Sequence, residues 1–279
     1  MTITTRDQLI DAMANNSSRV VIDKAAIANS AFGQFHSLWR ATGQPGQGAI
    51  PAAAAVCNNS LTGSIQFNQQ TAPATSYLGI LESLSSNSAM TIEVHDRLMH
   101  MGGLSGALAT AQTVNLDLNA NLATDNLNIR KGDSNFSDVQ WWLEWYSDTG
   151  ATVVTATVGV TYNDGTTGNL TGVSLAATRR ASFMLPLNNL IPAAASGKYI
   201  RDVDTVTLSA TTGTAGSFGV TATRYRGANF MPIANARFTS DWAGLGLPEI
   251  PNSSCLQTIV LCSTTNTGTL RATGKIIHG

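Results

Sequence analysis

Imidazole and carboxylate side chains close together are where metal or acid–base chemistry would begin, and His95, Asp96 and His100 form the nearest such group in this chain. Met90, Ile92 and Val94 alternate with Thr91, Glu93 and His95, the period of a half-buried strand. If that strand continued, His95 and Asp96 would leave it on opposite faces and could not easily hold one ion. The spacing therefore predicts a structural role: His95 on the polar face, Asp96 and Arg97 opening a turn, and His100 beside it. No metal is expected.

Other candidate chemistry fails on spacing. Met101-Gly102-Gly103-Leu104-Ser105-Gly106 reads as a flexible bend; it lacks the Lys-Ser/Thr pair and the strand–loop–helix setting of a phosphate cradle. Ser105 stands in G-G-L-S-G, not the G-x-S-x-G of a nucleophile elbow. Asp125, Asp133 and Asp138 are spaced unlike a calcium loop. Arg179, Arg180, Arg201, Arg224 and Arg226 are scattered cations whose expected partners are carboxylates of this or a neighbouring copy. Asp204 and Glu144 set up no acid/base pair. The expectation is a protein without a catalytic set and without a cofactor.

The element expected to organise the chain is the stretch Asp138 to Tyr146, D-V-Q-W-W-L-E-W-Y. Val139, Trp141, Leu143 and Trp145 point one way, and Gln140, Trp142, Glu144 and Tyr146 the other. An enclosed tryptophan buries roughly 150–250 Å², so this strand is expected to seed the core. Trp142 and Tyr146 fall on the polar face. Either the chain's own loops cover them, or they meet another subunit or a ligand.

Around that strand the β signals are dense. Thr155 to Tyr162 alternates up to Asn163-Asp164-Gly165, a hairpin turn that tolerates positive φ. Strands are expected through Val173 and Leu175, and through Phe183, Leu185 and Leu187. Val206 and Leu208, a turn over 211–216, and Phe218, Val220 and Ala222 read as a second hairpin. Cys255 to Cys262 and Leu270 to Ile277 close the chain as strands. The stretch 77–84 reads as strand or helix turn alike. Short strands at roughly 8–12-residue spacing, with no βαβ alternation, predict a mainly β protein, an antiparallel sandwich or jelly roll.

Ahead of this sandwich, expected over 76–279, lies a segment read as an N-terminal helical arm over 1–45. Thr5 and Gln8 fit a capping box. Leu9, Ile10 and Met13 follow as a short apolar stripe, and Val20 to Ile22 as an extended piece. Phe32, Phe35 and Trp39 sit at i, i+3 and i+7, a second helical signal closed by Gly43 and Pro45. Such an arm cannot bury its apolar residues alone. The Gly-, Pro- and Ala-rich stretch 46–75 reads as a linker. Phe32, Phe35, Trp39, Trp142, Tyr146 and Trp242 are thus the candidate interface residues, Trp242 because D-W-A-G-L-G-L-P-E-I-P is an apolar loop.

Composition excludes several classes. Of 279 residues, 43% are hydrophobic, enough for a sizeable core. Only 12% are charged, about half the usual share of roughly 25%. A surface of Thr, Ser, Asn, Ala and Gly suits a packed assembly, so a homo-oligomer is expected. The net charge of −1 and the lack of a basic run argue against specific nucleic-acid binding. Cys57, Cys255 and Cys262 form no C-x-x-C pair and read as core thiols of a protein made in a reducing compartment. No apolar run approaches the ~20 residues that span a bilayer, and the first ten residues lack the pattern of a secretion signal. The expectation is a soluble product of the cytoplasm, without membrane partners.

Several stretches carry a family resemblance together: Asp96-Arg97-Leu98 running into H-M-G-G-L-S-G and A-Q-T-V-N, W-W-L-E-W-Y-S-D-T-G-A-T, T-A-G-S-F-G-V-T, D-W-A-G-L-G-L-P-E-I-P and C-S-T-T-N-T-G-T-L. From about Trp39 onward the set resembles virion structural proteins of tailed bacteriophages and prophages. The resemblance implies a building block of the particle on or in the head, with other capsid proteins as partners and the virion as location. It brings no catalytic residue. The long charged spine helix of the usual tailed-phage shell fold is not legible, which favours a decorating, cement or minor head protein. The alternatives are a principal shell protein, or a glycan-binding tail module using Trp142 or Tyr146 as stacking platforms.

Overall fold

The computed structural model of the chain describes residues 2–175, 178–213 and 216–279. It is mainly β, with antiparallel strand pairing throughout the registered ladders. The first strands are β1 (Ser17–Lys24), β2 (Gln34–Ser37), β3 (Gly43–Gln44), β4 (Ala55–Val56), β5 (Ser76–Ser85) and β6 (Met90–Ser105). The central ones are β7 (Gln112–Asp117), β8 (Val139–Trp145), β9 (Val154–Tyr162), β10 (Thr167–Leu175), β11 (Phe183–Pro186) and β12 (Ile200–Leu208). The last are β13 (Ser217–Met231), β14 (Phe238–Ser240), β15 (Glu249–Ile250), β16 (Leu256–Cys262) and β17 (Leu270–His278). Among the described residues three short α-helices accompany them: α1 (Arg6–Asn15), α2 (Leu127–Arg130) and α3 (Trp242–Leu245). No helix among the described residues is long and apolar enough to cross a membrane.

The chain forms two compact units. Unit 1 comprises Met1–Ala49, Asn58–Asp96 and Tyr225–Gly279, and unit 2 comprises Ile50–Cys57 and Arg97–Arg224. The stretch expected as an arm falls within unit 1, and the one expected as a linker is divided between the two.

In unit 1 a six-stranded sheet runs in the order β14-β5-β17-β1-β3, with β15 also beside β5. A second ladder has β16 paired with β2 and with the Thr91–Asp96 part of β6. Val20 and Ile22 of β1, Leu78 and Leu81 of β5, Ile92 and Val94 of β6, and Leu256 and Val260 of β16 meet in one core. Ile65 and Phe67, from the Gly/Pro-rich stretch, belong to that core too. Helix α1 begins as its sequence predicts: Gln8 N donates to Thr5 Oγ1 at 3.3 Å, and Thr5 N donates to Gln8 Oε1 at 3.1 Å. Leu9 and Ala12 pack on Ile277, while Ile10 stays exposed. At the far end of β17, the buried His278 ring bridges Ser18 Oγ of β1 (2.7 Å) and Ser76 Oγ of β5 (2.9 Å).

The expected helix through Phe32, Phe35 and Trp39 is corrected to strand. β2 occupies Gln34–Ser37, with Phe35 opposite Leu261 and Ser37 opposite Ile259. Ladder pairing and burial against β16 outweigh a 3.6-residue apolar pattern this short. Trp39 follows in a tight loop, its indole N–H donating to Ala49 O at 2.9 Å. Lys24 holds the same loop from inside, donating to Ala41 O (3.1 Å) and Pro45 O (2.7 Å). Burial lowers the Lys24 amine to about 8.

In unit 2 a four-stranded sheet runs β10-β9-β12-β7. β8 pairs with β11 and with the Phe218–Arg224 part of β13. Val158 and Val160, Val203 and Val206, Trp141 and Trp145, and Phe218 and Val220 share the core. The β9–β10 hairpin forms as expected, with Thr161 opposite Thr167 and Gly165 at φ +83°. The second expected hairpin does not. β12 joins β9 and β7, whereas β13 joins β8, so the two consecutive strands enter different ladders. Residues 214 and 215 of its turn lie outside the described residues. The bend expected at 101–106 is strand as far as Ser105. Gly102 serves close approach: a Cβ there would lie 3.1 Å from the Tyr146 ring and press into Pro51 O.

Buried polar centres and the exposed candidate surfaces

The His95, Asp96 and His100 group separates as strand alternation requires. In unit 1, His95 Nε2 bonds Glu93 Oε2 at 2.8 Å and its ring stands edge-on to Tyr225. Asp96 turns inward: Oδ1 accepts from Cys255 N at 2.9 Å, and Oδ2 meets Arg226 Nη2 at 3.3 Å. Arg226 also donates to Glu249 O at 2.9 Å. His100 belongs to unit 2, where its Nδ1 accepts from Arg97 Nε at 3.0 Å. The turn expected at Asp96-Arg97 is continuous strand. No group of three or more His, Cys, Asp or Glu among the described residues could hold a metal ion.

The second face of β8 shows what its polar pattern was for. Arg97 Nη2 lies 2.7 Å from Glu144 Oε2, with both side chains fully enclosed. Thr221 Oγ1 donates to the same carboxylate oxygen at 2.6 Å, and Tyr146 Oη lies 3.3 Å from it. Burial works against the Arg97 charge, but Glu144, then Tyr146, outweigh it and raise the guanidinium above its usual range. Burial, followed by the Glu144 charge, pushes the Tyr146 phenol up as well. Beside this network Arg130 donates to Cys57 O at 2.6 Å and Arg97 O at 2.9 Å. Each cation is met by acceptors of its own unit. Such a cluster orders an interior; it offers no open coordination position and no exposed nucleophile.

The six interface candidates divide sharply. Trp142 is buried and its indole N–H donates to Thr223 Oγ1 at 2.8 Å; Tyr146 is buried in the Arg97–Glu144 network; Trp39 is buried in its loop. The chain itself covers these three. Phe35 is half-buried in β2. Phe32 is 82% exposed and Trp242 43% exposed. α3 carries Trp242, capped by Asp241 Oδ1, which accepts from Ala243 N and Gly244 N.

Sequence reading passed over another exposed set. In unit 1 the outer face of the six-stranded sheet places Arg19, Lys275 and Ile80 in one row, Val21, Thr273 and Glu82 in the next, and Asp23, Arg271 and Leu84 in a third. Val21 and Leu84 help line a shallow depression of about 250 Å³ there. A neighbouring one of about 340 Å³ shares Glu82 and Thr273. Arg271 pairs with Asp23 at 3.4 Å across exposed side chains, and the exposed Arg237 with the part-buried Glu82 at 3.6 Å. The signal was present in R-V-V-I-D, whose alternation turns Arg19, Val21 and Asp23 outward. In unit 2, Ile129 of α2 is 52% exposed.

No protein-family model matches this chain, and no curated protein matches it. Among solved structures it is similar to VP2 of infectious bursal disease virus. The VP2 subviral particle is 10% identical over 94% of this chain and 79% of that chain, with a TM-score of 0.16. The Gx strain structure is 11% identical over 95% and 82%, with a TM-score of 0.17. At such identities and scores the likeness to these capsid proteins carries no argument about the fold or function of this chain.

Proposed function

We propose that this chain is a non-enzymatic structural protein of a tailed-bacteriophage virion. It is associated with the capsid as a decorating, cement or minor head protein, and works by association with itself and with shell subunits. The resemblance of its sequence stretches supports the class, and its low charge suits a packed setting. The observation that carries the reading is apolar exposure on two units whose cores are already filled. Phe32 is 82% exposed, Val153 66%, Ile233 61% and Phe230 55%. In a chain with only 12% charged residues, such side chains are interface material. A contact of ordinary size, near 1,600 Å² in total, gains strength when repeated over many subunits.

A glycan-binding reading through Trp142 or Tyr146 is set aside, because neither ring has a free face to stack on. Analytical ultracentrifugation of the purified chain, alone and with empty shells, tests the proposal. Concentration-dependent association or co-sedimentation with shells is expected. A chain that stays monomeric and leaves the shells bare overturns it.

A further inference from the structure

One edge of the six-stranded sheet in unit 1 is closed and the other is open. Along β5, β14 pairs with residues 81–83, β15 pairs with Ser76 and Tyr77, and Leu78 N donates to Pro248 O between them. At the opposite edge β3 covers only Asp23 and Lys24 of β1. The ladder fixes which backbone groups this leaves bare. His278 N donates to Asn16 O, so in the β1–β17 register the even-numbered residues of β1 bond β17. Ala25 N donates to Thr42 O, so the odd-numbered ones face the β3 side. Past the end of β3, Arg19 and Val21 therefore turn their N–H groups and carbonyls outwards, and no strand or bridge among the described residues meets them. Arg19 is exposed and Val21 is 49% exposed. Proline, a bulge or a very short strand commonly guards such an edge. β1 has none of these, running eight residues in unbroken register with β17.

The β1 edge of a second copy is a poor match for this gap. Setting Arg19 against Val21 of the copy would carry that copy's Ser17 onto the place of Gln44, which already sits opposite Asp23. Setting Val21 against Val21 would carry the copy's Arg19 onto the same place. The remaining register that covers both residues puts Arg19 against Arg19, two like charges directly opposite. We propose that β1 instead takes up one extended segment of a different protein. The guest lies antiparallel to β1 and in line with β3, as every neighbour in this sheet is antiparallel. Arg19 and Val21 donate their N–H groups to its carbonyls and accept from its N–H groups, adding a strand to the sheet. On the outer face the guest residue beside Val21 is apolar. The one beside Arg19, which has no ion pair among the described residues, carries a carboxylate. The six residues 17–22 offer ~20 Å, room for a strand of ordinary length.

Titration of the full chain with acetyl-Thr-Val-Thr-Glu-Thr-Val-amide tests this, followed at the backbone amides by NMR and hydrogen exchange. The Arg19 and Val21 amides should shift and gain protection. Those of Val20 and Ile22, already bonded to β17, should change little in exchange. The same peptide N-methylated at its first valine and its glutamate keeps the side chains but loses two donors, and should bind about tenfold more weakly or worse. Lysine in place of its glutamate should also weaken binding. Val21→Pro removes an N–H that the β17 ladder does not use, and should abolish binding in a chain that circular dichroism shows folded. Where that variant unfolds, the N-methylated peptide carries the test on the unmodified chain. Unchanged Arg19 and Val21 amides, or equal binding of the N-methylated peptide, overturn the proposal. Protection of these amides in the chain alone as its concentration rises overturns it too, because the occupant is then a second copy. None of these outcomes bears on the capsid reading, which sedimentation with shells decides.

Discussion

Arg97 and Glu144 meet at 2.7 Å inside unit 2, 47 positions apart in sequence and both shut off from water. Removing one partner leaves a buried charge with no counter-charge, which costs about 3–5 kcal/mol. Arg97→Met and Glu144→Leu are each expected to fall in that range by urea denaturation. The double variant should lose much less than the sum, because apolar replacement of both partners of a buried pair is often near neutral. Additive losses would show that the pair is not coupled.

Trp39 is held between glycines of its own unit. A Cβ on Gly63 would lie 2.5 Å from Cε3 and Cζ3 of the indole, and one on Gly48 would press into the same ring system. Gly63→Ala is expected to cost about 1–3 kcal/mol by overpacking. Combining it with Trp39→Leu should cost less than the two single losses together. A Gly63→Ala protein with an unchanged melting temperature would contradict this packing.

His36 is wholly buried in β2, and burial lowers its imidazole to about 4. Between that value and the ordinary 6.5, the unfolded chain takes up a proton that the fold refuses. Stability is therefore complete above about 6.5 and lost as pH falls towards 4, by up to about 3 kcal/mol. Denaturation midpoints from pH 7.5 to 4.5 should show the decline, and His36→Leu should flatten it. An equal slope in the variant would assign the acid limb elsewhere.

Asp202 works in the opposite sense. Burial, the first cause, and the Asp117 carboxylate opposite it in the β7–β12 register raise it to about 6, although Arg201 Nε lies 2.7 Å away and pulls it down. The folded state keeps this proton more tightly than the unfolded chain, so the contribution is present below about 4 and lost as pH rises through 6. Asp202→Asn should raise stability at pH 7.5 by about 2 kcal/mol and change it little at pH 4. A loss at neutral pH would show that the Arg201 contact outweighs desolvation.

The β class, the β9–β10 hairpin, the Thr5 capping box and the alternation of β8 were legible in the sequence. Each depends on residues within a few positions, where backbone sterics and a period of two act directly. Alternation likewise separates His95 from Asp96. Where a strand finds its partner is a long-range matter. The same local pattern that favours a hairpin between Leu208 and Phe218 is satisfied when β12 and β13 join different ladders, and a short helical apolar pattern at Phe32–Trp39 yields to pairing with β16.

Which large side chains face water is settled by the packing of distant segments. Trp39, Trp142 and Tyr146 lie inside and Phe32 and Trp242 outside, because burial depends on what distant segments lay over a residue and not on its own type. Strand alternation alone assigns side chains to a common face. The fold determined that the polar face of β8 receives Arg97 and Thr221, and that Val21, in the middle of an apolar triplet, stands open on the outside of a sheet.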